Sequence, residues 1–151
     1  MKILNSPLFT SKTDLWATPK DFFEKLDAIY HFTIDVCALP NNTKCARYYT
    51  PIDDGLAQDW TNDVVWCNPP YGKTIGLWVK KSYLESLKGS RIVMLLPART
   101  DTKWFHDYIL GKAKLIFIRG RLKFGNALNS APFPSMLAIY NLDDIPNFNR
   151  I

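Results

Sequence analysis

The sequence has few of the residues that build metal centres and disulfide frameworks. It contains three cysteines and two histidines among 151 residues. The cysteines are odd in number, have no CxxC spacing and do not cluster with a histidine, so neither a disulfide framework nor a zinc site is indicated. We therefore expect reduced thiols and no metal.

Long apolar segments are also missing. The chain has no run of about 18 apolar residues, and it does not open with a basic stretch followed by an apolar one. Neither a membrane span nor a secretory leader is indicated. We therefore expect a cytosolic protein with no membrane partner.

A third absence is that of a glycine-rich nucleotide loop. Where a dinucleotide site would carry GxGxxG, residues 38–42 read Ala-Leu-Pro-Asn-Asn. The chain does have 47% hydrophobic residues, enough for one sizeable core, and a formal charge of +5. We expect one domain over 1–151, with residues 1–13 a loosely held terminus. The charge favours a nucleic-acid partner without requiring one.

The most informative stretch is an apolar strand, 64–67, that ends in Asn68, Pro69, Pro70 and Tyr71. In an open α/β sheet, ligands lie beyond the carboxyl ends of strands, so these four residues are site candidates. The Asn68 oxygen and the Pro69 carbonyl are two acceptors that suit an NH2 group. Tyr71 offers a flat face on which a base stacks, with a contribution of about 1–3 kcal/mol. We expect an amino-bearing nucleobase; the plainer alternative is a proline-rich turn with a packed tyrosine.

The first regular element is predicted as a helix over 19–30. Thr18 is a suitable N-cap, Pro19 fits the first helical position, and Asp21 lies three residues after the cap. The apolar positions form one helical face: Phe22, Phe23, Leu26, Ile29 and Tyr30. Trp16 and Thr18 have a purely structural explanation as a staple and a cap.

Two acidic positions are candidates for binding a cofactor. Asp35 lies in a predicted strand over 33–38, where a carboxylate is costly to bury without a partner, although a position facing solvent explains it equally well. Asp53 or Asp54 follows a second predicted strand over 47–50, where nucleotide-binding sheets carry the acid that holds a ribose. The alternative is an Asp-Asp-Gly turn.

The remaining chain alternates predicted helices and buried strands. We predict a helix from about 75 to 88 with Leu77, Trp78, Leu84 and Leu87 toward the core, followed by a strand over 91–96. A second helix follows, with the face Trp104, Phe105, Tyr108 and Ile109. Two further strands are predicted over 115–118 and 136–140, with a loop over 126–135 before the last one. This alternation indicates an α/β fold.

Basic residues follow two of these strands. If the chain stays extended after 115–118, then Arg119, Arg121 and Lys123 share one face, which suits phosphates. A solvated edge strand explains the same pattern. Arg99 lies in the polar loop after the 91–96 strand and is a further candidate for contacting nucleic acid.

The order of these motifs resembles that of the phage-type DNA N-6-adenine methyltransferase (Dam) family. The resemblance covers roughly residues 14–140 and rests on Trp16-Ala-Thr-Pro, Ile34-Asp-Val-Cys-Ala, Asp54-Gly-Leu, Asp59-Trp60, Asn68-Pro-Pro-Tyr, Leu95-Leu-Pro-Ala-Arg-Thr, Gly120-Arg-Leu-Lys-Phe and Ala131-Pro-Phe-Pro-Ser. It implies a Rossmann-like α/β fold, with a mostly parallel central sheet, an antiparallel last strand and helices on both faces. We expect no separate target-recognition domain.

The resemblance also implies a reaction: a methyl group passes from S-adenosylmethionine to the N6 amino group of adenine in double-stranded DNA, with the base flipped out. The implied catalytic residues are Asn68, Pro69, Pro70 and Tyr71. The implied cofactor-binding residues are Trp16, Thr18, Pro19, Asp35, Asp54, Asp59, Trp60 and Asn68, with Asp59 accepting from the cofactor adenine and Trp60 covering its ring. Arg99, Arg119, Arg121 and Lys123 would bind DNA.

Two alternatives to this function stay open. Asn-Pro-Pro-Tyr also occurs in methyltransferases that modify glutamine in proteins, so a protein or RNA substrate is possible. The missing glycine loop also allows a nucleic-acid-binding relic without catalysis. For a Dam-family enzyme we expect a monomer or weak homodimer in the cytosol of a bacterial host.

Overall fold

The computed structural model describes residues 16–125 and 130–146. The expectation for residues 1–13, and the part of the predicted 126–135 loop at 126–129, lie outside the described residues. The elements are helix α1 (Lys20–Tyr30), strand β1 (Ile34–Asp35), a 3-10 helix (Gly55–Ala57), strand β2 (Val64–Cys67), helix α2 (Ile75–Leu87), strand β3 (Arg91–Pro97), helix α3 (Lys103–Tyr108), strand β4 (Lys114–Phe117) and strand β5 (Ser135–Tyr140).

The fold is α/β, and its sheet has five strands in the order β1-β2-β3-β5-β4. β1 pairs with β2, and β2 with β3, in parallel. β5 lies antiparallel to both of its neighbours, β3 and β4. The sheet is therefore mixed, and the prediction of an antiparallel last strand is confirmed. No described helix is long and apolar enough to cross a membrane.

Several connecting segments meet at one edge of the sheet. Parallel pairing brings the carboxyl ends of β1, β2 and β3 together there. Pro97 at the end of β3 pairs with Ser135 at the start of β5, and Phe117 at the end of β4 pairs with Met136. The segments that leave β4 and enter β5 therefore reach the same edge. As in other open α/β sheets, this is where a ligand site is expected.

The first two predicted strands are shorter than the sequence indicates. β1 has two residues, and the 47–50 segment contributes an isolated parallel bridge between Tyr48 and Asp35. The segments still run side by side, because the Tyr49 amide donates to the Asp35 carbonyl at 2.9 Å. β1 ends because the chain folds back over the Asp35 side chain, whose carboxylate accepts from the backbone of Cys37 and Lys44.

Helix α1 buries the predicted face except for Ile29, which is 37% exposed. The predicted cap is wrong. The helix begins at Lys20 with Pro19 as its N-cap, and no side chain caps it. The Thr18 hydroxyl bonds the Asn68 side chain instead.

Helix α2 turns a different face inward from the one that the leucine pattern predicts. Leu77, Leu84 and Leu87 are exposed, and of the residues predicted to face the core only Trp78 is buried. The inward face includes Glu85, whose carboxylate accepts the backbone N–H of Trp60 at 2.6 Å. Lys81 forms an ion pair with Glu85 at 3.2 Å. This buried polar contact fixes the rotation of the helix and leaves the leucines outside.

Candidate active site

A cavity of about 260 Å³ opens among the segments at the carboxyl edge of the sheet. This is close to the lower end of volumes for small-molecule sites, about 300 Å³. It brings together seven predicted site residues: Trp16, Thr18, Asp35, Asp54, Asn68, Pro69 and Pro70. It also includes residues that sequence reasoning missed, among them Lys44, Tyr49, Leu56 and Trp78. Lys44 and Tyr49 reach the cavity because the segment after β1 folds back, which no local pattern reveals, whereas Leu56 belongs to the 3-10 helix and Trp78 to helix α2.

The side-chain amide of Asn68 is held in one orientation. Its Nδ2 donates to the Thr18 hydroxyl oxygen at 2.9 Å and to the Trp16 carbonyl. Because a backbone carbonyl only accepts, the nitrogen of the amide must face Trp16. The other end of the amide, Oδ1, is buried and has no hydrogen-bond partner within 16–125 and 130–146.

This unpaired oxygen is the strongest chemical signal among the residues that line the cavity. Leaving a buried acceptor unsatisfied costs about 1–3 kcal/mol, so native proteins rarely keep one without a ligand or a water molecule to bond it. Pro69 and Pro70 carry no N–H that could fill the role. The arrangement therefore suits an N–H donor that reaches this oxygen, and the role predicted for the Pro69 carbonyl as a second acceptor stays a prediction.

Asp35 is a buried anionic candidate on the cavity wall, 3% exposed. Its two carboxylate oxygens accept the backbone N–H groups of Cys37 and Lys44 at 3.2 and 3.0 Å. Burial raises the pKa of Asp35 to about 6, although these hydrogen bonds act in the opposite direction. The alternative of a carboxylate facing solvent is wrong, and Asp35 is available to a cationic ligand group near neutral pH.

The structure distinguishes Asp53 from Asp54. Asp53 belongs to the turn, because its carboxylate accepts from the backbone N–H and the hydroxyl of Thr50 at 2.9 and 3.1 Å. Asp54 lines the cavity and has a left-handed backbone with φ of 55°. Gly55 beside it is required by close packing, because a Cβ there would lie 2.3 Å from the Val36 carbonyl oxygen. Asp54 is thus the candidate that faces a ligand.

Asp59 and Trp60 do not line the cavity, which corrects their expected contacts with a cofactor adenine. Asp59 points to solvent, where its carboxylate bonds the Thr61 backbone N–H at 2.9 Å and Lys88 at 3.3 Å. Trp60 is fully buried and donates from its ring nitrogen to the Gly55 carbonyl. Its ring stacks on Trp78 with centroids 6.3 Å apart, and Trp78 does line the cavity. Trp60 therefore supports the wall from behind.

Tyr71 also differs from the expectation of an open stacking face. It is 2% exposed, and its hydroxyl donates to the Leu95 carbonyl at 3.2 Å. Phe124 and Phe133 pack against its ring with centroids at 6.3 and 5.4 Å. Pro19, the N-cap residue of helix α1, likewise does not line the cavity. A base can stack on Tyr71 only after these phenylalanines move.

The predicted strand over 119–123 does not form, because β4 ends at Phe117 and Gly120 has φ of +75°. Arg119, Arg121 and Lys123 are nevertheless exposed. Arg121 donates to the Ala131 carbonyl at 3.3 Å. Arg99 is exposed and lies in the loop after β3. Burial raises the pKa of Tyr71, and the charge of Arg99 opposes this rise in part. A basic surface thus borders the aromatic cluster.

Comparison with known proteins decides the family. The family model described as DNA N-6-adenine-methyltransferase (Dam) matches residues 5–140. The chain belongs to this family. It is accordingly a methyltransferase of the class that modifies adenine in DNA at N6, and the predicted function is confirmed at that level.

Individual relatives agree with this assignment. The DNA N-6-adenine-methyltransferase of Haemophilus phage HP1 (strain HP1c1) is 30% identical over 138 residues, which cover 86% of this chain and 80% of the relative. The protein of the same name from Escherichia phage T1 is 33% identical over 111 residues, 72% of this chain and 46% of the relative. Putative methyltransferase YfdM of Escherichia coli (strain K12) is 32% identical over 80 residues, 47% of this chain and 88% of the relative.

Membership of the Dam family implies a methyl donor such as S-adenosylmethionine. The carboxylates of Asp35 and Asp54, two residues that line the cavity, suit the hydroxyl and ammonium groups of such a donor, and Asn68, with its unpaired oxygen, lines the same cavity. The described residues contain no group of three or more histidine, cysteine or acidic side chains that could hold a metal ion.

Proposed function

We propose that the chain is a Rossmann-like methyltransferase that uses S-adenosylmethionine, and that Asn68 binds the amino group of the adenine to be methylated. The observation that carries the proposal is the Asn68 amide, fixed at its nitrogen end and unpaired at its buried oxygen. When bound, S-adenosylmethionine supplies a methyl group on a positively charged sulfur. Asp54 is assigned to its ribose and Asp35 to its ammonium group.

The chemistry of Asn68 follows from the electronic structure of the substrate. The adenine amino group is conjugated with its ring and is a poor nucleophile. Hydrogen bonds donated by that group to Asn68 Oδ1 and to the Pro69 carbonyl would favour a more tetrahedral nitrogen, whose lone pair is then directed at the methyl group. The amine would gain the methyl group and release one of its two protons to solvent. Holding the two reactants in line contributes the remaining acceleration by proximity, without a covalent bond to the protein.

Access for the base requires a movement beside Tyr71. The target amine lies inside the duplex, so the base has to be flipped out at a cost of a few kcal/mol. Phe124 and Phe133 enclose the Tyr71 ring. Phe124 directly follows Lys123 and lies three residues after Arg121, and both of these basic residues are exposed. We therefore assign Lys123 and Arg99 to the DNA backbone around the flipped base, and Arg121 to a base edge of the preferred site, because its planar guanidinium can bond two acceptors at once.

The proposal is tested by incubating the protein with S-adenosylmethionine labelled on its methyl group and, separately, with double-stranded DNA, RNA or protein. We expect label in DNA alone, recovered after digestion as N6-methyl-2′-deoxyadenosine. An Asn68→Ala protein serves as the matched negative control. Label in RNA or protein but not in DNA contradicts the substrate, and no label in any of them contradicts catalysis.

A further inference from the structure

The loop after β1 does not present free backbone N–H groups to the cavity as a glycine-rich loop does. Residues 37–45 carry eight such groups, since one of the nine residues is proline. Six of the eight donate within the protein: those of Cys37 and Lys44 to Asp35, Ala38 to Tyr49, Leu39 to Asn42, Asn42 to Leu39, and Cys45 to Thr43. The other two belong to Asn41 and Thr43, neither of which lines the cavity, so a carboxylate in this part of the cavity needs another donor.

Lys44 is the cation in a position to supply it. Lys44 lines the cavity and is half-buried. No acidic side chain lies within 4.0 Å of its ammonium group among the ion pairs of residues 16–125 and 130–146. Its charge is nevertheless close enough to the Asp35 carboxylate to act on the pKa of that group. One wall of the cavity therefore carries a cation and an anion, which suits a ligand end that carries both charges.

We propose that Lys44 binds the carboxylate of the methionine end of the cofactor, and that this side chain replaces the missing glycine-rich loop. Asp35 binds the ammonium group of the same end. This inference rests on the proposed use of S-adenosylmethionine. It assigns Lys44 as a binding and specificity-determining residue that selects a cofactor with an intact amino-acid end over a plain nucleoside.

Three ligands test the proposal by calorimetry: S-adenosylhomocysteine, its decarboxylated analogue, and methylthioadenosine, which lacks the whole amino-acid end. We expect Lys44→Met to weaken binding of S-adenosylhomocysteine by about 10- to 100-fold, the usual effect of losing a hydrogen bond to a charged group. The other two ligands should keep their affinity within about twofold. Lys44→Arg should retain most of the preference, and Lys80→Met, an exposed lysine on α2, should change nothing.

The outcomes separate this inference from the proposed function. If Lys44→Met weakens all three ligands equally, or none of them, Lys44 does not bind the carboxylate and the inference is wrong. Because the three ligands are compared on the same Lys44→Met protein, a loss of stability in that variant would affect all three affinities alike and could not produce a selective loss. If the unaltered protein binds none of the three ligands, the assignment of the cofactor itself is contradicted, and the inference about Lys44 is overturned together with it.

Discussion

Replacing Thr18 with valine tests how the Asn68 amide is oriented. Thr18 is 3% exposed, and its hydroxyl oxygen accepts from Asn68 Nδ2 at 2.9 Å. Valine has nearly the same shape but no acceptor, so one N–H of the amide loses its partner. A lost hydrogen bond with a donor left buried costs about 1–3 kcal/mol. If that loss affects the orientation of the catalytic oxygen, turnover falls by about tenfold for each 1.4 kcal/mol.

Steady-state kinetics of methyl transfer distinguish an effect of Thr18→Val on the orientation of the Asn68 amide from an effect on cofactor binding. We expect Thr18→Val to lower kcat about tenfold and to change KM for S-adenosylmethionine by less than about twofold. Thr18→Ser keeps the hydroxyl and should restore kcat. A raised KM with unchanged kcat would mean that Thr18 contacts the cofactor directly. Unchanged kcat and KM together would refute the orienting role.

Three further predictions concern stability and DNA binding. Glu85→Ala should lower the free energy of unfolding in urea by about 3–5 kcal/mol, because it leaves Lys81 without its buried partner; a loss below about 1 kcal/mol contradicts this. Burial raises the pKa of Asp35 from 3.8 to about 6, so the folded protein binds that proton more tightly than the unfolded chain. The free energy of unfolding should therefore fall by up to about 3 kcal/mol as the pH rises from about 4 to 6, and Asp35→Asn should remove that slope. In duplex titrations, Lys123→Ala should weaken binding to all sequences and reduce by about one the slope of log binding constant against log salt concentration. Arg121→Ala should reduce the binding free energy by about 1–3 kcal/mol at the preferred site alone. Equal effects at all sites would make Arg121 a phosphate contact.

Features that depend on neighbours along the chain are the ones that the sequence predicts well. The strand that leads into Asn68 follows from its β-branched residues, and its end follows from the two prolines after Asn68. Asp35 was recognisable because an acid in an apolar strand is costly to bury. The strands β3 and β5 are continuous apolar runs, and their bounds agree with the predictions to within one residue.

Features that depend on distant partners could not be predicted in the same way. Spacing places Asp59 and Trp60 before β2, but the direction of Trp60 is set by Glu85, which lies 25 residues further along the chain. The same contact rotates α2 and exposes the leucines that a helical pattern assigns to the core. Lys44 shows no sequence signal at all, because its role arises only when the loop folds over Asp35.

We assign the unpaired oxygen of Asn68 to the substrate and not to the cofactor. The most direct measurement compares Asn68→Ala with the unaltered protein in two assays, methyl transfer to DNA and calorimetric binding of S-adenosylhomocysteine. We predict that transfer falls by about a hundredfold or more while the affinity for S-adenosylhomocysteine stays within about twofold. Undiminished transfer, or loss of S-adenosylhomocysteine binding in a folded Asn68→Ala protein, would contradict the claim.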